Sequence, residues 1–256
     1  FVVVRNSHGG TIELNMGSNY YQLVMKALFI EVLKTLVYLE GFYYEAAYEL
    51  SHGLGVKDKA SLAAAFEKEW EAAYSGAVGN GTYRSLRYLA RNVIASLSRK
   101  FSMSISPPEL DYWGNAVINA LIDSSRLYDD VNDALASLSN KALDLYVLTN
   151  LDNDIAKKIL LKHDILRFFK GVISSDLTRI GKPSIKIFNV AINKAGVNKG
   201  DALIVSGLTE DIIGSKLSQI KMAFVNRDNI TPTPQPDYVI KDLNELLGII
   251  ESHEVS

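Results

Sequence analysis

Hydrophobic positions change their spacing twice along this chain. The opening run, Phe1-Val2-Val3-Val4, is short, unbroken and apolar, and it leads into a turn at Gly9-Gly10, the pattern of a buried strand. From about residue 16 to 125 the apolar positions recur at helical spacing, which predicts helices near 18–40, 42–53, 58–75, 81–100 and 108–125. Their breaks fall at Gly53-Leu54-Gly55, at the small and glycine-rich residues 75–81, and at Ser106-Pro107-Pro108. Beyond about residue 126, short apolar runs alternate with amphipathic stretches. Strands are predicted at 143–149, 171–174, 202–205, 222–225 and 238–240, and helices at 152–168, 184–195, 211–219 and 243–250. Such alternation implies a parallel sheet covered on both faces. The expected fold is therefore α/β, a Rossmann-like three-layer core made from residues 1–15 and 126–256. An all-helical cap at 16–125 would be inserted after the first strand.

The composition is that of an ordinary globular protein: 256 residues, 48% hydrophobic, 22% charged, with a net charge of -2. That charge supplies no field to gather nucleic acid, which is not expected as a partner. One helical face does carry Arg84, Arg87 and Arg91. It reads either as a grip for a phosphate-bearing ligand or as a solvated face balanced by Glu67, Glu69 and Glu71. The longest apolar stretch, Tyr20 to Leu39, is interrupted by Lys26, Glu31 and Lys34, so no membrane span is expected there. Cysteine is absent, which removes disulfides and thiolate chemistry and fits a cytoplasmic location. Tyr38, Phe42, Tyr43, Tyr44 and Tyr48 form a cluster that is either cap core or an oligomer or partner surface. His52, His163 and His253 have no ligand spacing.

In open parallel sheets the ligand site lies at the carboxyl ends of the strands. Ser7, Thr149, Ser174 and Val205-Ser206-Gly207 fall there, and four segments follow in order along the chain. They are Ser7-His8-Gly9-Gly10-Thr11-Ile12 after the first apolar run, Thr149-Asn150, Gly181-Lys182-Pro183, and Val205-Ser206-Gly207 with Asp211 just beyond. This series resembles the haloacid dehalogenase-like (HAD) hydrolase superfamily. The resemblance implies transfer of a phosphoryl group, or displacement of halide, by an aspartate in the signature aspartate–any residue–aspartate–glycine–threonine. Anchoring that signature on Gly10-Thr11 puts Ser7 at the nucleophile and Gly9 at the second acid, which protonates the leaving group. Thr149 then matches the second motif and Lys182 the third. The fourth motif, whose acids hold magnesium, lacks its first acid and keeps only Asp211, a weak metal candidate.

On that alignment the chemistry is largely gone. Serine is un-ionised and needs a base, and neighbouring strand side chains point to opposite faces, so His8 is poorly placed to serve. Magnesium favours carboxylate oxygens, and Asp211 alone holds it poorly. What remains is an anion-binding half: Thr149, Asn150 at a helix opening, and Lys182. Two readings stand for these residues, phosphate recognition or plain structural anchoring. Asp152 and Asp154 are expected to complement the dipole of the helix that follows Asn150. The expectation is a non-catalytic binding or scaffold protein, without a cofactor, taking a phosphate-bearing small molecule or a protein partner. The alternative is a phosphatase-like or dehalogenase-like hydrolase with an altered mechanism, needing magnesium only if activity is retained.

Overall fold

The computed structural model of the protein describes residues 25–77 and 83–252 in full, and residues 2–5, 11–14, 78 and 253–254 through the backbone. The chain opens with β1 (Val2–Arg5), β2 (Thr11–Leu14), β3 (Ala27–Ile30) and β4 (Val37–Leu39). Four helices follow: α1 (Phe42–Leu54), α2 (Lys59–Val78), α3 (Leu86–Lys100) and α4 (Pro107–Ser124). Next come β5 (Ser125–Leu127), α5 (Val131–Ser139), β6 (Asp144–Thr149), α6 (Asn153–Lys162), β7 (Gly171–Ser174) and α7 (Ser175–Thr178). The chain closes with α8 (Ile185–Ala195), β8 (Ala202–Ser206), α9 (Thr209–Ser218), β9 (Lys221–Val225), β10 (Tyr238–Ile240) and α10 (Leu246–Glu254).

Six strands make one parallel sheet in the order β10-β9-β8-β3-β6-β7. Its inner strand β3 is the main departure from the sequence reading. Ala27–Ile30 lies inside the stretch expected to be helical and assigned to the cap, yet it pairs with β6 on one side and β8 on the other. Val2–Val4, from the run expected to open the sheet, instead lie in the separate antiparallel pair β1–β2. The physical reason is burial on both sides. All four residues of β3 are buried, and a strand covered on both faces shows no alternation. A continuous apolar run of that kind cannot be told from a buried helix by its period.

Both layers are visible from β3 itself. Ala27 and Phe29 face Ile187, Phe188 and Ala191 of α8 and Ile212 of α9. Leu28 and Ile30 belong to the opposite core with Leu135 of α5, Ile155 and Ile159 of α6, and Leu246 of α10. This is the expected α/β three-layer core. The chain leaves the sheet for α1–α4 and returns through a two-stranded ribbon, β4 paired with β5 from Val37↔Leu127 to Leu39↔Ser125. Capping chemistry fixes where those helices begin. Ser85 Oγ accepts from the Tyr88 N–H at the start of α3, and Ser106 forms a reciprocal box with Glu109 behind Pro107 at the start of α4.

Candidate active site

The register of the sheet delivers one carboxylate to its centre. Ile30 pairs with Val147 and Val205, so the next residue, Glu31, emerges at the carboxyl end between β6 and β8. Its side chain folds back on its own backbone. Oε1 accepts from the N–H groups of Val32 (2.7 Å) and Leu33 (3.2 Å) and from Thr149 Oγ1 (2.7 Å). Oε2 accepts from Lys182 Nζ, which also donates to Asp211 Oδ2. Glu31, Lys182 and Asp211 are 2%, 0% and 0% exposed, so this ion triad is sealed from water. Burial is the strongest influence on Glu31 and raises its carboxyl above the usual range, against the pull of Lys182. Burial alone would depress the lysine, but the charges of Asp211 and Glu31 reverse that and hold it protonated.

Neighbouring residues lock the triad in place. Asn150 brackets the Lys182 peptide: its Oδ1 accepts from the Lys182 N–H (2.7 Å) and Ser175 Oγ (2.6 Å), and its Nδ2 donates to the Lys182 carbonyl (3.2 Å). Thr35 Oγ1 accepts from the Gly207 N–H at 2.8 Å, tying the turn after β3 to the turn after β8. Those turns mesh closely. A Cβ on Gly207 would stand 2.1 Å from the Lys34 carbonyl oxygen, so only glycine fits. Lys34 itself has φ 58°, the left-handed region.

These positions revise the motif assignment. Ser7 and Gly9 lie outside the described residues. The stretch Glu31-Val32-Leu33-Lys34-Thr35 carries the signature's spacing at the end of a true sheet strand. Glu31 stands at the nucleophile, Leu33 at the second acid, Lys34 at the glycine and Thr35 at the threonine. The positive φ of Lys34 falls where the signature keeps glycine. The crevice, expected to keep Asp211 as its one acid, therefore holds two carboxylates against Lys182. The signal was readable, an acid and a threonine four apart after four apolar residues, but it was hidden inside a stretch read as helix.

Thr149, Asn150, Lys182 and Asp211, expected to converge, do so, and each is engaged inside the protein. Magnesium does not fit this donor set. The position between Glu31 and Asp211 is taken by an ammonium group, and one triad oxygen, Asp211 Oδ1, is buried without a partner. Among the described residues no group of three or more His, Asp or Glu side chains is arranged to hold a metal. Two of the three arginines of the basic face are paired, while Arg84 reaches only the Tyr83 carbonyl at 3.5 Å. Arg87 grips Asp154 with both guanidinium nitrogens (3.1 and 2.6 Å) and Arg91 meets Asp111 at 2.6 Å. Asp152 accepts from the Leu86 N–H (3.2 Å), so it caps α3 across the crevice rather than its own helix.

Above the triad lies a cavity of about 440 Å³ between α1, α2 and the turns after β3 and β8. Leu33, Leu208 and Glu210 line it from the core, and Phe42, Tyr43, Trp70, Glu71 and Tyr74 from the helices. The Tyr74 hydroxyl is desolvated and close enough to the carboxylates of Glu31, Glu210 and Asp211 that its proton is held far more tightly than usual.

A parallel sheet with a buried Glu–Lys–Asp triad at its carboxyl edge, beneath the helical layer α1–α4, defines a three-layer α/β scaffold with a carboxylate at its centre. The family profile described as "Haloacid dehalogenase-like hydrolase" matches residues 56–225, and the chain belongs to that family. It is 29% identical over 126 residues to "(S)-2-haloacid dehalogenase 2" of Pseudomonas sp. (strain CBS-3), covering 48% of this chain and 55% of that protein. It is 25% identical over 127 residues to "Pyrophosphatase PpaX" of Halalkalibacterium halodurans, covering 48% and 59%. The chain thus spans rather more than half the length of the curated relatives it matches. Among solved structures, the putative HAD-hydrolase YfnB of Bacillus subtilis bound to magnesium superposes with TM-score 0.76 at 19% identity, over 89% of this chain and 99% of that one. No described helix is long and apolar enough to cross a membrane.

Proposed function

We propose that this protein is a hydrolase that displaces a weakly basic leaving group, such as halide, from carbon, with the Glu31 carboxylate as the attacking group. The observation that carries this reading is the pairing of Glu31 at the nucleophile position with Leu33 at the second acid. An alkoxide leaving from phosphorus needs a proton, whereas a halide departs as a stable anion. A site with a nucleophile but no leaving-group acid suits the second. The poor fit to magnesium points the same way, as does the similarity to a haloacid dehalogenase.

In the first step a Glu31 oxygen forms a bond to the substrate carbon. The carbon–halogen bond breaks and the halide leaves with its electron pair, giving an ester on Glu31. Oε2 accepts one hydrogen bond and so keeps a lone pair for this attack. Lys182 pulls the carboxyl toward its ionised form against burial, and the N–H groups of Val32 and Leu33 with Thr149 Oγ1 fix its orientation. In the second step water adds to the ester carbonyl and releases the alcohol. Asp211 Oδ1, the triad oxygen with no partner, is the acceptor available for the water's proton. The net change is RX plus water to ROH, halide and a proton.

Halide release from haloalkanes and 2-haloacids, and phosphate release from monoesters with magnesium, test this directly. The expected result is halide release indifferent to EDTA, lost by about 10³-fold or more in Glu31→Gln, with a substrate-derived mass on the Glu31 peptide under single turnover. Magnesium-dependent phosphate release, or halide release undiminished in Glu31→Gln, overturns it. A non-catalytic binding protein is the second reading, favoured by the complete burial of Lys182 between two carboxylates, which leaves no free charge for an incoming anion. Its mark is ligand binding that survives Glu31→Gln with no turnover of either substrate class.

A further inference from the structure

The lining of the 440 Å³ cavity has a chemistry of its own. Six aromatic rings border it, those of Tyr38, Phe42, Tyr43, Trp70, Tyr74 and Tyr128. Three carboxylates, Glu71, Glu210 and Asp228, share that lining with one cation, Lys34, and Lys34 is already paired with Asp228 at 2.8 Å. Glu210 has no ion-pair partner among the described residues, and the triad below it sets two carboxyl groups against one ammonium. Glu71 accepts from the Tyr43 hydroxyl, which fixes one carboxylate against one ring.

We infer that this cavity binds a small organic cation, of the alkylammonium or quaternary ammonium class. Aromatic faces attract such cations through the ring quadrupole, and nearby carboxylates reinforce the attraction. The same walls repel a carboxylate or a phosphate, because an anion entering here meets no unpaired cation and loses its water without compensation. A volume of about 440 Å³ lies within the usual range for small-ligand sites. Tyr38 and Tyr128, with ring centroids 5.1 Å apart and tilted by 51°, form an angled pair beside Lys34 and Asp228. Burial and the charge of Asp211 raise the Glu210 carboxyl, the condition of an acid that lacks a counterion. As a binding site this stands alone. As a statement of substrate class it rests on the hydrolase reading, and directs it to haloalkyl-ammonium compounds rather than haloacids.

Three probes of one shape separate the possibilities on the unmodified protein: choline, its uncharged analogue 3,3-dimethylbutan-1-ol, and 3,3-dimethylbutanoate. Calorimetry is expected to rank choline at least tenfold tighter than the neutral alcohol, with the carboxylate weakest. Glu210→Gln should weaken choline about tenfold while leaving the alcohol unchanged. Equal or tighter binding of the alcohol or the carboxylate, or no binding of choline, overturns the inference. Halide release from (2-bromoethyl)trimethylammonium is measured separately. Choline binding without release retains the cation site and removes the hydrolase reading, whereas release from 2-haloacids without choline binding does the reverse.

Discussion

Two sets of acids share one crevice and behave in opposite ways. On the floor, Glu31 and Asp211 are sealed, and both give an oxygen to Lys182. In the cavity above, Glu71, Glu210 and Asp228 are only partly covered and share one lysine that sits near the rim. The contrast follows from solvation. A charge removed from water must be matched inside the protein, so the floor carries its own counterion. A charge that keeps some water can stay unmatched until a ligand arrives, and that leaves the cavity, not the floor, free to recognise something.

The sharpest way to break this contrast is Lys182→Met. It strips the floor of its cation and leaves two buried carboxylates facing each other, which is expected to cost about 3–5 kcal/mol in denaturant unfolding. Part of that loss should return on acidification, as the carboxyls take up protons, and part in the double variant Lys182→Met with Glu31→Gln. Unfolding curves that match the unaltered protein would show that the floor is not held by charge pairing.

Asp152 probes the intermediate case, a carboxylate that is buried but only partly matched. Burial pushes it up to about 6 from 3.8, Asp176 adds to the rise, and the Leu86 N–H and Arg87 oppose it. A raised acid favours the folded state fully below the unfolded pKa and loses that contribution as pH climbs through the folded one. Asp152→Asn should therefore match the parent near pH 4 and exceed it by about 1–2 kcal/mol at pH 7, after discounting for solvent screening. A difference that does not change with pH would remove this account.

Smaller effects are expected where charges meet water. Lys34 holds a left-handed backbone at the cavity rim, so Lys34→Gly should raise stability by up to about 1 kcal/mol. The lost partner of Asp228 offsets some of that, and in the same variant choline should bind more tightly. Smallest of all, Asp154→Ala removes the grip of Arg87 between α6 and α3 and should cost under about 1 kcal/mol, mostly erased by salt.

Much of this was readable from the residues. The strands β6 to β10 and the helices α1 to α4 fall where apolar spacing and helix stops put them, because each shows one buried side or a clear break. Thr149 was found by its place at a strand end, and Lys182 and Asp211 by the resemblance of their segments to the family's third and fourth motifs. Glu31 was not, since β3 is buried on both faces and carries no period, and a lysine at the signature's glycine masked the turn. The short helix α5 went unread because residues 126–142 gave no assignment. Three of the cavity's rings, Tyr38, Phe42 and Tyr43, stood out as a cluster, but their meeting with Trp70, Tyr74 and Tyr128 was not readable, since those come from distant segments.

The interlock of the two turns restricts substitution. With the Lys34 carbonyl pressed against Gly207, an aspartate cannot be introduced at 207 by one substitution without forcing the turns apart. Adding a side chain at 207 therefore takes coordinated change at both turns, and a single substitution there disturbs the floor of the crevice before it can add a group to it.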